Sequence, residues 1–244
     1  MKPQPDASPR GRFLAELRRE LLRPGPDGRA TLVAVDGVDG AGKTVLADEL
    51  ARLLDETIAT VRISIDGFHH TRVRRYARGR DSAEGFWLDS YDYGAFRREV
   101  VDPFRRGTGT YLPAIHDVDS DETLIGPRHP VIPGALVIVD GIFLHRDEIH
   151  DVWDASIFLD VPFVESVRRL AVRDGSSSDP ASAENVRYVE GQRLYLQSCD
   201  PWSRASILVD YADLEAPRVI PSGSIAGPGR IDGAPTARSR ERNR

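Results

Sequence analysis

Nine consecutive residues, DGVDGAGKT at 36–44, place three glycines, a lysine and a threonine directly behind the apolar run TLVAV at 31–35. These types at this spacing suit one task, the holding of a phosphate group. Glycines let the chain turn with its N–H groups pointing inward, and a helix that follows adds its positive N-terminus. Gly37, Gly42, Lys43 and Thr44 fit the spacing G-x-x-x-x-G-K-[ST]. In that pattern the lysine reaches the β- and γ-phosphates and the hydroxyl ligates Mg²⁺. The expected ligands are ATP and Mg²⁺, and the expected nucleotide-binding residues are Gly37, Asp39, Gly40, Ala41, Gly42, Lys43, Thr44 and Val45.

A phosphate loop alone does not distinguish a kinase from a GTPase, a motor or a DNA-handling ATPase. Two aspartates narrow the choice. ISIDGFHH at 63–70 ends a predicted strand in Asp66, and ALVIVDG at 135–141 ends another in Asp140. Strand C-termini of an α/β sheet face the ligand crevice. A carboxylate there accepts the proton of an attacking hydroxyl (Asp66) or holds Mg²⁺ directly or through water (Asp140). Each also fits a plain strand-ending Asp-Gly turn. VESVRRLAVRDG at 164–175 crowds Arg168, Arg169 and Arg173 onto one helix before a loop. Such arginines neutralise charge on a transferring phosphoryl group when they close as a lid, and otherwise form a solvated basic face.

The elements that must carry these groups alternate. The spacing predicts a helix over 10–23, a strand at 31–36, a helix from Gly42 to Leu54 with Val45, Leu46, Leu50, Leu53 and Leu54 inward, and a strand at 57–66. Residues 67–90 read as irregular, and a helix over 93–106 is expected to break at Pro103. Strands follow at 135–141, 155–161 and 205–211, with helices at 163–174 and 183–198, the last weakened by Gly191. The pattern predicts an α/β fold, a three-layer α/β/α sandwich with a central parallel sheet of about five strands under an arginine-bearing lid. The expected organisation is an N-terminal extension with a helix over 1–28, stopped by PGPDG, one domain over 29–216, and a disordered tail over 217–244.

Composition excludes several classes. The chain has 244 residues and a net charge of −5, unlike a general nucleic-acid binder, so no nucleic acid is expected. Its single cysteine, Cys199, permits neither an internal disulfide nor a cysteine-built zinc site. No apolar run of membrane-spanning length and no targeting segment is visible, so a cytoplasmic protein is expected, with homo-oligomers left open. Six scattered histidines lack an i, i+4 pair and argue against a metal site at His69, His70 and His116. TRVRRYARGR at 71–80 suits either an anionic ligand or a solvated loop, and Trp87, Tyr91 and Tyr93 suit either ring stacking or core packing.

The order of motifs resembles the uridine kinase-like branch of P-loop kinases over roughly residues 30–215. These motifs are the phosphate loop, a strand ending D-x-F-[YH], V-I-V-[ED]-G-I, D-x-x-I-F-L-D and R-R-x-x-x-R-D. The branch includes uridine/cytidine kinases, phosphoribulokinase, type I pantothenate kinases and nicotinamide riboside kinases. The resemblance implies transfer of the ATP γ-phosphoryl group to a hydroxyl of a small molecule, a nucleoside first. It implies that Asp66 is the catalytic base assisted by Lys43, that Phe68 and His69 form an aromatic pair in the acceptor pocket, and that Asp89 holds ribose hydroxyls, with Asp92 competing for that role. It makes Arg169 and Arg173 lid arginines and sets Asp140 where Glu is more usual. At 113–122, PAIHDVDSDE offers His116 and Asp117 but no matching base-recognition Tyr-Asp…His…Arg stretch. Pantothenate, nicotinamide riboside, a sugar phosphate or a nucleoside monophosphate therefore stay open as acceptors. So does a regulatory ATPase with no acceptor.

Overall fold

The computed structural model describes residues 6–22 and 29–221. The central sheet has six strands: β1 (Thr31–Gly37), β2 (Thr60–Ser64), β3 (Leu136–Asp140), β4 (Ala155–Asp160), β5 (Ile207–Asp210) and β6 (Arg218–Ile220). Their spatial order is β6-β5-β4-β1-β3-β2. All pairings are parallel except β5 with β6. The residues of β1, β3 and β4 are almost wholly buried, as a sheet covered on both faces requires. Because these strands run parallel, the C-terminal ends of β1, β2 and β3 meet at one edge of the sheet.

Among the described residues the longer helices around the sheet are α1 (Pro9–Leu21), α2 (Lys43–Asp55), α3 (Ala83–Asp89), α4, α5 (Phe163–Asp174) and α6 (Val186–Cys199), with single helical turns at Arg72–Arg75 and Pro201–Arg204. In α4, Tyr93–Phe96, Arg97–Val101 and Asp102–Arg106 run on as one helix whose middle segment is π. Pro103 does not break it. The carbonyl of Glu99, deprived of a donor by the proline, accepts instead from the Leu112 N–H at 3.2 Å. Asp102 N–H bonds Arg97 O across the wider π turn.

Other expectations shift. The strand expected over 57–66 is confined to Thr60–Ser64, and Ile65–Phe68 is a 3₁₀ turn capped by Ser64, which accepts from Asp66 N–H. Residues 67–90, expected to be irregular, contain α3. Val45 on α2 is 57% exposed and faces away from the core. Gly191 is no weak point, since a Cβ there would meet Ala83 O at 2.8 Å where α3 crosses α6. The strand β6 extends the sheet past the expected boundary at 216. The α1 helix buries Phe13, Leu17 and Leu21 in the common core, and Arg10 donates to Glu49 on α2 at 2.5 Å. The helix stop at 24–28 and the tail over 222–244 lie outside the described residues.

Candidate active site

The loop between β1 and α2 turns at glycines that no other residue replaces without strain. Gly40 and Gly42 have φ of 74° and 97°. Gly42 caps α2, and no side chain bonds to the helix start, so the first N–H groups of α2 face the crevice as an anion site. Beneath the loop, Asp36 is fully buried. It accepts from Gly37 N–H at 2.7 Å, Leu144 N–H at 3.0 Å, His145 Nδ1 at 2.7 Å and Tyr195 Oη at 2.5 Å. This hub ties the loop to α6 and to the segment after β3. Gln192 on α6 adds a bond from above, its Oε1 accepting from Asp39 N–H at 2.6 Å.

Lys43 is mostly buried and its Nζ donates to Val38 O at 2.8 Å, across the loop it would share with a phosphate. Thr44 Oγ1 donates to Asp140 Oδ2 at 2.6 Å. The phosphate-loop hydroxyl and the carboxylate ending β3 therefore meet. A hydroxyl and a carboxylate, both oxygen donors, fit Mg²⁺, which keeps waters and takes further oxygens from a nucleotide. Among the described residues no group of three or more His, Cys, Asp or Glu could hold a metal. The ion, when bound, would neutralise charge on the phosphate oxygens.

Asp66 stands exposed on the 3₁₀ turn after β2, and its Oδ1 accepts from the buried Tyr91 hydroxyl at 2.8 Å. Burial, with the Asp66 carboxylate beside it, pushes the Tyr91 phenol well above its ordinary value, so it stays a donor. Backbone bonds from His70 N–H to Ser90 O and from Asp92 N–H to Phe68 O, both 2.8 Å, lock Tyr91 to the turn that carries Asp66. Desolvation raises the Asp39 carboxyl, with Lys43 opposing the rise.

A cavity of about 640 Å³ unites most of these groups. Asp39, Gly40, Gly42, Lys43, Thr44, Val45, Asp66, Asp140, Arg169 and Arg173 all line it. Gly37 and Ala41 lie behind the loop as its frame. Phe68, His69, Asp89 and His116 do not line the cavity. Phe68 is fully buried and packs edge-on against Phe96 at 5.2 Å, a core residue rather than a pocket aromatic. His69 donates from Nδ1 to Asp66 O at 2.8 Å and lies against the Tyr91 ring at 4.4 Å, and burial lowers its pKa. Asp89 accepts from Arg78 Nε at 2.9 Å, and Asp92 Oδ1 caps α4 by accepting from Ala95 N–H at 2.8 Å. His116 is buried with its Nε2 3.2 Å from Asp121 Oδ1.

The two arginines of α5 expected in a lid, Arg169 and Arg173, differ. Arg169 spends its donors on Glu165 at 2.8 Å, Ala41 O at 3.0 Å, Tyr211 O at 3.0 Å and Ala212 O at 2.8 Å, and so fastens the phosphate loop to the end of β5. Arg173 is 69% exposed in its side chain, pairs with Asp174 at 2.6 Å and adjoins the cavity. Three contributors escaped the sequence reading: Arg62, which donates to Asp140 Oδ1 at 2.9 Å, Tyr91 and Gln192. Their partners are far along the chain, and only Tyr91, inside a flagged aromatic cluster, left a signal.

No family model matches the chain. Solved structures do. A "possible uridine kinase" from Bacillus stearothermophilus superposes with a TM-score of 0.61 at 20% identity, covering 80% of this chain and 96% of that one. The fold is that of the uridine kinase-like P-loop kinases. A candidate fructose transport system kinase from Silicibacter sp. is similar at TM-score 0.59 and 26% identity, covering 75% and 94%. Phosphoribulokinase from Rhodobacter spheroides is similar at TM-score 0.50 and 16% identity, covering 75% and 71%. No described helix is long and apolar enough to cross a membrane.

Proposed function

We propose that this protein is an ATP-dependent, Mg²⁺-requiring small-molecule kinase that transfers the γ-phosphoryl group to a hydroxyl, with a nucleoside the first acceptor to test. One observation carries the reading: Lys43, Thr44 and Asp66 share one cavity. Lys43 leaves Val38 O and holds the phosphates with the first N–H groups of α2. Thr44 and Asp140 hold Mg²⁺. Asp66, steadied by Tyr91, orients the acceptor hydroxyl and takes its proton as the oxygen attacks phosphorus and the bond to ADP breaks. Arg173 covers the reaction from α5.

A second acceptor class, a sugar or sugar phosphate, is favoured by two observations. Asp89, the carboxylate expected to hold a ribose diol, is already paired with Arg78. The similar structure at 26% identity is a candidate fructose transport system kinase. Release of ADP from Mg²⁺·ATP against uridine, cytidine, nicotinamide riboside, pantothenate, ribulose 5-phosphate, simple sugars and nucleoside monophosphates tests both. Turnover that requires one acceptor and falls by about 10²–10⁴-fold in Asp66→Asn, with ATP binding kept, is the expected result. Acceptor-independent turnover that survives Asp66→Asn would establish a regulatory ATPase instead.

A further inference from the structure

Asp140 is 1% exposed, and both of its oxygens are engaged. Oδ2 takes the Thr44 hydroxyl at 2.6 Å, and Oδ1 takes Arg62 Nη1 at 2.9 Å. Arg62 comes from β2, the strand beside β3. Its Nη1 also donates to Ile63 O at 2.7 Å, and its Nε donates to Asp48 Oδ1 at 3.0 Å. Asp48 lies on α2, one turn after Thr44. A single guanidinium thus bridges the carboxylate that would face Mg²⁺ and the helix that begins at the phosphate loop.

A carboxylate so far from water requires a counter-charge, and Arg62 supplies it. A nucleotide-bound Mg²⁺ would be a second counter-charge for the same group. Charge already neutralised by the guanidinium is unavailable to the ion, and two cations beside one carboxylate repel each other. The outer partner, Asp48, is 51% exposed in its side chain and draws Arg62 partly away.

We propose that Arg62 is a positioning residue that fixes the rotation of Asp140 toward Thr44 and weakens the hold of that pair on nucleotide-bound Mg²⁺. The inference rests on the phosphate loop binding Mg²⁺·nucleotide and is independent of the acceptor.

The test is calorimetric titration of the full chain with ADP, in the presence and absence of Mg²⁺. The quantity read is the factor by which Mg²⁺ strengthens ADP binding. In Arg62→Gln this factor rises by about 10-fold over the unaltered chain, and in Arg62→Lys, which keeps the charge, it stays near the unaltered value. In Asp48→Asn, which leaves Asp140 as the one carboxylate paired with Arg62, it falls by about 2–3-fold. An unchanged or smaller factor in Arg62→Gln overturns the proposal. Should that variant not fold, the Asp48→Asn chain, altered at a half-exposed side chain, decides alone, and an unchanged or larger factor there overturns it. Failure of the unaltered chain to bind ADP under either condition defeats the phosphate-loop reading itself, and the proposal with it.

Discussion

Tyr91 and Phe would fill the same space between His69, Tyr93 and Phe143, so the hydroxyl is the informative atom. A buried hydroxyl costs stability unless bonded, and this one is bonded to Asp66. Tyr91→Phe keeps the packing and removes only the donor. It should lower kcat by about 10-fold and leave the KM for ATP unchanged. Steady-state kinetics with whichever acceptor supports turnover checks this, and an equal loss in ATP affinity would mean that the change is structural. Residues of the phosphate loop were legible in the sequence because their chemistry is set by near neighbours. Asp66 and Asp140 were legible because each ends an apolar run. Arg62 and Gln192 were not, since their partners lie 78 and 153 residues away and no local pattern records them; Tyr91 stood out only as an aromatic, its bond to Asp66 lying 25 residues away. Phe68 and His116 misled for the converse reason: a residue type that suits an acceptor pocket suits a core equally well.

Helix α6 meets more of the site than any pattern in its sequence suggests. Its glycine reads as a defect, yet it permits contact with α3. Gly191→Ala should destabilise by about 1–3 kcal/mol, because the Ala83 carbonyl is backbone and cannot step aside; denaturant unfolding measures this, and a neutral or stabilising result would mean that the two helices separate freely. On α5, hydrogen bonds from Arg168 and then Arg169 hold the Glu165 carboxyl down to about 2 against an ordinary 4.5. A depressed folded value gives stability that is full above pH 4.5 and lost as pH falls toward 2. The Tm gap between the unaltered chain and Glu165→Gln should be constant from neutrality to about pH 5 and close by about pH 2. A gap that persists at the acid end would contradict the assignment. The strands were readable from apolar runs, but α3 was not, since a two-turn helix packed through Gly85 and Phe86 carries too short a period to stand out.

For the whole molecule, α1 belongs to the core rather than to an appendage. Leu17 is fully buried, and Leu17→Ala should cost about 2–5 kcal/mol, read as a lower midpoint in urea at unchanged m-value. A loss below about 1 kcal/mol would return α1 to the status of a loose extension. The parallel sheet was foreseeable from alternating strands and helices; the antiparallel β6 was not, because three residues beyond a proline carry little pattern. One further contact has a consequence for how such a protein diverges. Arg187 on α6 donates to the carbonyls of Arg75, Gly79, Arg80 and Ser82. Those partners are all main chain. The four hydrogen bonds of Arg187 therefore depend on the path of the backbone across 75–82, while the Tyr76 side chain adds a ring beneath its guanidinium at 5.0 Å. A point substitution in that segment can leave these backbone bonds in place, whereas an insertion or deletion there would break the grip of Arg187.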